Sequence, residues 1–169
     1  AGGSDDSPTS VAARPLKTAD DVKTKVVTVT TPAPSPDQAP GPPPLSEALS
    51  EVEGQGYDVS DTSTYDASEP VAVLLGVKVP TADADRELAF FFADGRYLGT
   101  DTKDTSAGIR LAYQTGSTIA LDYELYEPND AMCCPSAGSV TVRFRWTGQQ
   151  LVPLDPIPSD SSGASPSRR

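Results

Sequence analysis

The sequence predicts an α+β fold in which one short N-terminal helix packs on an antiparallel sheet of five to six strands. Three observations carry this expectation. A single segment, Leu45–Gly54, has apolar residues at helical spacing. The segments after it alternate apolar and polar residues with the period of two that belongs to strands. Two dipeptides, Asp94-Gly95 and Thr147-Gly148, sit between such segments as tight turns, so the strands they join run antiparallel.

In the helix, Leu45, Ala48, Leu49 and Val52 fall at i, i+3, i+4 and i+7 and form one apolar stripe. Prolines precede it, Gly54 is placed to stop it, and glutamates near its start suit the helix dipole. A helix this short does not stand alone in water and must lie on a sheet. The first strand carries Val71, Val73, Leu75, Val77 and Val79 on one face. The second carries Leu88, Phe90 and Phe92, with Phe91 on its other side. Asp94-Gly95 is the preferred pair for a type I′ hairpin. The returning strand, Arg96–Thr100, then sets Phe92 opposite Tyr97 and Phe91 opposite Leu98. Both faces are apolar near this turn, which implies that both are covered. Ile119, Leu121, Tyr123 and Leu125 mark a fourth strand, and Val140, Val142, Phe144 and Trp146 a fifth. Gln149–Leu154 returns as a sixth, confined to an edge by Pro153 and Pro156. Pairing of the fourth and fifth strands brings Asp122 and Arg143 onto one outer face. Asp101–Gly116 reads as a long, polar, mobile loop and Glu127–Gly138 as a second loop.

Composition divides the chain. Residues 1–44 hold few large apolar side chains and many of the 17 prolines, and read as a disordered proline-rich tether. Within them Lys25–Thr31 alternates valine and threonine and is a candidate edge strand. Residues 45–158 carry nearly all the large apolar residues and form the folded domain. Residues 159–169 carry none and read as a disordered tail.

The net charge of −11 lies mostly in the domain. That argues against nucleic acid, which needs a basic footprint, and against electrostatic docking on anionic lipid; acidity of this kind favours solubility. No stretch approaches the roughly 20 apolar residues of a membrane-spanning helix, and no signal peptide is seen. Without any histidine, Ser-His-Asp and Cys-His nucleophiles and histidine zinc sites are excluded. Neither GxGxxG nor a Walker loop occurs. No cofactor or metal is expected. Asp58, Asp61 and Asp66 share a polar loop, but their spacing is not that of a calcium-binding EF-hand; turn formation explains them better. Carboxylate-only chemistry, such as glycoside hydrolysis by two facing acids, stays open.

Cys133-Cys134 is the unusual pair. Adjacent Cα atoms lie about 3.8 Å apart, closer than in ordinary disulfides. Free thiols, a strained vicinal disulfide and an intermolecular bridge are all open; a vicinal disulfide in an oxidising compartment is the preferred reading and a free pair the second. Arg143 and Arg145 share one strand face, either pairing with cross-strand acids or offering an anion-binding surface.

Phe90–Thr102, with Asp94-Gly95 at its centre, resembles the central hairpin of the actinobacterial LppP/LprE lipoprotein family. Cys133–Gly138, Val142–Gly148 and Leu154–Pro158 are similar to its closing segment, so that the resemblance spans Leu45 to Pro158. It implies a cell-envelope lipoprotein held outside the plasma membrane by a lipid anchor on a cysteine that this sequence does not contain; the small, polar Ala1–Ser7 stretch is what commonly follows such a cysteine. It implies no catalytic residues. The expected function is that of a non-enzymatic display domain binding an envelope protein, lipid or glycan. A carboxylate-dependent hydrolase of envelope glycans is the alternative, and a structural or secretion accessory a third reading. Arg96, Tyr97 and Asp101 near the hairpin, Arg143 and Arg145, and the Cys133-Cys134 loop are the candidate site residues.

Overall fold

The computed structural model describes residues 40–79 and 86–169. The expected tether, apart from its last five residues, and the candidate strand at Lys25–Thr31 lie outside the described residues. The elements are α1 (Leu45–Gly54), β1 (Tyr57–Asp58), β2 (Val71–Lys78), β3 (Glu87–Ala93), β4 (Arg96–Thr100), β5 (Ile109–Thr115), β6 (Thr118–Glu124), β7 (Ser139–Trp146) and β8 (Leu151–Pro153). No described helix is long and apolar enough to cross a membrane.

The single sheet of five to six strands is corrected to two antiparallel sheets of four strands each, in the orders β1-β2-β3-β4 and β5-β6-β7-β8. The reason lies in β3, which is buried on both faces. Leu88, Phe90 and Phe92 turn toward α1, where Ala48, Val52 and Leu74 join them. Ala89, Phe91 and Ala93 turn the other way and need a second cover. That cover is the inner face of the other sheet: Ile109, Ile119, Leu121, Tyr123, Val142, Phe144 and Trp146. The Phe91 and Phe144 rings meet across the sandwich with centroids 5.2 Å apart. Each fully buried phenylalanine contributes about 1.5–3 kcal/mol of burial free energy, so a two-sided apolar strand does not persist with one face wet.

The segment expected to be one mobile loop, Asp101–Gly116, is where the chain changes sheets. It contains β5, whose Ile109 is buried against the core. The alternation there is weak because Ala112, Tyr113 and Gln114 interrupt it at a bulge between Leu111 and Tyr113.

The helix forms where expected. Ala48 and Val52 are fully buried, and Leu45 and Leu49 pack around them. Its left-handed terminator is Gly56 (φ +85°) rather than Gly54. A Cβ at Gly76 would lie 2.8 Å from Phe90 Cε2 and 3.0 Å from Val52 Cγ1, so helix and sheet are in direct contact there. At this point of contact the space between helix and sheet is filled by these side chains.

At the hairpin, Asp94 (φ +52°) and Gly95 (φ +65°) both adopt the left-handed backbone of a type I′ turn. Phe92 faces Tyr97 as expected, but Phe91 faces Gly99 instead of Leu98, because a bulge shifts the register between Phe91 and Phe92. The end of the tether packs on this hairpin. Gly95 N donates to Gly41 O at 2.8 Å, Tyr65 Oη donates to Pro43 O, and Pro43 is buried.

Residues 159–169, expected to be a disordered tail, are folded back on the sandwich. Ser167 and Tyr126 exchange backbone hydrogen bonds at 2.7 and 3.0 Å. Arg168 is 4% exposed and donates from Nε to Pro158 O (3.1 Å) and from Nη1 to Asp104 O (2.6 Å) and Ser106 Oγ (2.9 Å). Polar pairing holds this segment, so a count of apolar residues misses it.

Candidate functional site

Asp101 follows β4 and takes over the ladder as the strand ends. Its N–H donates to Ala89 O and its Oδ1 accepts from Ala89 N, both at 2.9 Å. Its Oδ2 accepts from Tyr123 Oη of the opposite sheet at 2.6 Å. The carboxyl therefore stands in for a backbone carbonyl and pins one sheet to the other. Burial pushes its pKa up, opposed by the hydrogen bonds from Tyr123 and Ala89 and by the charge of Arg168. Tyr123 is pushed up as well, first by burial and then by the Asp101 charge, and stays a donor.

Beside this pin a groove of about 330 Å³ opens between β4 and the β7–β8 turn. Phe144 and Trp146, nearly buried, lie at its base with Leu98 and Leu151. Arg96, Gln149, Gln150 and Pro153 are exposed at its rim. Of the candidate residues the structure thus brings Arg96 and Asp101 to one groove, with Asp101 contributing from a buried, hydrogen-bonded position.

Tyr97 is placed elsewhere. Its ring lies on the helix side of the first sheet, 5.5 Å from Phe92 and 6.1 Å from Phe90 between centroids. Burial raises its pKa, against a hydrogen bond with Gln55. It is a packing residue. Arg143 and Arg145 lie on the outer face of the second sheet, away from the groove rim. Arg143 grips Asp155 with two parallel bonds, Nε to Oδ2 and Nη2 to Oδ1, each 2.8 Å, and its backbone N–H adds a third at 2.9 Å. These bonds hold the Asp155 carboxyl down at about 2. Asp122, the expected partner, instead accepts from Thr141 Oγ1. The register explains this, because Asp122 sits opposite Thr141 while Arg143 sits opposite Ala120. Arg145 is exposed beside that pair.

The aspartates considered for calcium serve turns. Asp61 Oδ1 accepts from Ser63 N at 2.8 Å, and Asp66 Oδ1 accepts from Ser68 N at 2.9 Å and Ser68 Oγ at 2.6 Å. These bonds lower both carboxyl pKa values. Asp58 lies in the short edge strand β1.

The Cys133-Cys134 loop projects from the end of β6, with both cysteines exposed and their Sγ atoms placed against each other. Asp130 braces it: Oδ2 accepts from Glu127 N and Ser136 N, each at 2.8 Å, and Oδ1 from Ser136 Oγ at 2.7 Å. The Ser136 hydroxyl and the two N–H groups hold the Asp130 carboxyl below its ordinary value.

Sequence reading passed over Gln149, Gln150 and Trp146 as groove residues, and Arg168 altogether. The Thr147-Gly148 turn was the available signal for the first group. The turn runs through four residues, closed by Thr147 N to Gln150 O at 3.0 Å, and so projects both glutamines at the groove edge.

Comparison with curated proteins and comparison with solved structures each returned no match. The family model described as LppP/LprE lipoprotein matches residues 63–149, from the loop before β2 to the turn before β8 and just over half of the 169 residues. Hairpin, sheet crossing and cysteine loop all lie inside that match, and the chain belongs to the LppP/LprE lipoprotein family.

Proposed function

We propose that this chain is the extracytoplasmic part of a non-enzymatic lipoprotein, anchored to the membrane of an actinobacterial cell envelope, and that it binds an envelope glycan in the groove between β4 and β8. Membership of a lipoprotein family supports the anchored, extracytoplasmic setting. The composition of the groove carries the binding reading: a base of Leu98, Phe144, Trp146 and Leu151 under a rim of Arg96, Gln149 and Gln150. Sugar rings present apolar C–H faces and many hydroxyls, and such a surface meets both demands. In an oxidising envelope the exposed Cys133-Cys134 pair is a vicinal disulfide that stiffens its loop.

Binding is favoured over glycan hydrolysis because hydrolysis uses two carboxyls across one cleft. Among the described residues the carboxyl lining this groove is that of Asp101, already engaged by Ala89 N and Tyr123 Oη.

Titration of the chain with solubilised envelope glycans, read by calorimetry and by reducing-end release, tests the proposal. Saturable binding is expected, weakened at least tenfold by the combined Gln149→Ala and Gln150→Ala change and by Arg96→Ala. Binding unaffected by these changes removes the groove, and enzyme-dependent release of reducing ends removes the non-enzymatic reading. Metabolic labelling of the full-length precursor with palmitate tests the anchor, and absence of label removes it.

A further inference from the structure

Cys133 and Cys134 are joined although they are neighbours in the chain. A crosslink stabilises a fold mainly by restricting the unfolded chain, and its effect grows with the length of chain it closes. At a sequence separation of 1 this bond closes almost no chain, so it is not a staple for the sandwich.

Its loop is held by other means. Leu125 N donates to Gly138 O at 2.9 Å and Ala137 N donates to Leu125 O at 3.0 Å, which ties the start of the loop to its return. Asp130 Oδ2 accepts from Glu127 N and Ser136 N, each at 2.8 Å. Tyr126 Oη donates to Met132 O at 3.0 Å, and Cys134 N donates to Ala131 O at 2.9 Å. These bonds fix the loop on both sides of the cysteines, and none of them uses sulfur.

Both cysteines are exposed, as are Ala131 and Met132 before them. Thiol–disulfide exchange needs a thiolate to reach one sulfur of the bond, so access governs it. An exposed bond on which the fold does not depend can open and close while the rest of the domain stands still. Adjacency then selects the donor. Once a donor thiol is joined to one cysteine, the other cysteine lies one residue away and expels it in an intramolecular reaction. A donor with a single thiol is thrown off. A donor with two thiols completes the reduction, because its second thiol competes from within the same mixed disulfide.

We propose that Cys133–Cys134 is a thiol–disulfide exchange site whose reaction partner is a dithiol; the proposal rests on the vicinal-disulfide reading given above. A donor thiolate attacks one Sγ, the S–S bond breaks, and its electron pair leaves on the other Sγ, which takes a proton. The donor's second thiolate attacks the donor sulfur of the mixed disulfide, forms the donor's own disulfide and releases the remaining Sγ, which takes the second proton. Two electrons and two protons pass from the dithiol to the protein, and an oxidised donor takes them back by the reverse steps.

Alkylation of the full chain without reductant, read by intact mass, comes first. No adduct is expected; any adduct at this stage removes the vicinal disulfide itself and the exchange site with it. The native chain is then equilibrated with reduced and oxidised dithiothreitol as the probe. Two adducts are expected from the reduced mixture and none after return to the oxidised one, with the urea midpoint of the reduced form within about 0.5 M of the oxidised form. Cys133→Ser, treated with glutathione disulfide, should hold at least tenfold more mixed disulfide at Cys134 than the reduced parent, because it lacks the neighbour that expels glutathione. Its urea midpoint, held to the same limit, shows that the variant folds. Resistance of the native bond to dithiothreitol, a midpoint shift of the reduced form beyond that limit, or equal mixed-disulfide levels in variant and parent overturn the exchange site while leaving the disulfide in place.

Discussion

Replacing Arg168 with methionine should cost about 2–4 kcal/mol of stability, although the residue lies next to the end of a segment whose composition reads as disordered. The guanidinium is 5% exposed at the side chain and gives three hydrogen bonds, to Pro158 O, Asp104 O and Ser106 Oγ, with Asp160 Oδ2 at 3.6 Å from Nη2. Hydrogen bonds from a charged donor are worth about 1.5–3 kcal/mol each. Their sum overstates the loss, because removing a buried cation also returns its desolvation cost of several kcal/mol. Methionine keeps most of the stem volume, so the lost polar pairing dominates over a cavity. Urea unfolding followed by the fluorescence of the nearly buried Trp146 is the assay. With a denaturant slope of about 1–3 kcal/mol/M, the midpoint should fall by roughly 1–3 M. Arg168→Lys, which keeps the charge but loses the fork, should fall between, and Ser162→Ala on the exposed part of the segment should match the parent. A loss under about 0.5 kcal/mol for Arg168→Met would refute the reasoning and make the C-terminal segment a passenger.

Asp101 is raised by burial in the folded state above its ordinary 3.8, so the native protein holds the extra proton and stability attributable to this group falls as pH rises above about 4; urea midpoints from pH 4 to 7 should drop more steeply in the parent than in Asp101→Asn. Asp155 is shifted the opposite way, to about 2 by Arg143, so its contribution is present above the ordinary carboxylate range and lost as pH falls toward 2; NMR titration of the Asp155 carboxyl should show the low midpoint, and Arg143→Ala should return it toward 3.8. Gly76→Ala should destabilise by about 1–3 kcal/mol through overpacking, because the new Cβ would meet Phe90 Cε2 at 2.8 Å, Val52 Cγ1 at 3.0 Å and Tyr57 Cβ at 3.1 Å; thermal melts check it. Asp130→Ala should speed hydrogen exchange at the Glu127 and Ser136 amides that now donate to its carboxylate, while the β6–β7 ladder amides keep their protection.

Local pattern alone located the helix Leu45–Gly54, the Asp94-Gly95 hairpin, the strands around Val71–Val77, Leu88–Phe92, Ile119–Tyr123 and Val140–Trp146, and the edge position of the last strand. Each of these is written in consecutive side chains: period 3.6 or period 2, and a dipeptide tolerant of positive φ. The apolar residues on both sides of β3 also announced that two covers were needed. Which element supplies the second cover was decided only by tertiary packing, because the inner face of β5–β8 meets β3 across space and not along the chain. The same holds for the candidate site. Arg96 and Asp101 meet Gln149 and Gln150 in one groove only because the sandwich folds β8 beside β4, Tyr97 leaves that group because its strand parity turns it to the helix, and Arg143 prefers Asp155 to Asp122 because of a register that no single strand records. Sequence determines which segments are strands and which of their faces are greasy. Long-range pairing, decided by how whole faces fit and where buried polar groups such as Arg168 and Asp101 find partners, determines what those faces meet.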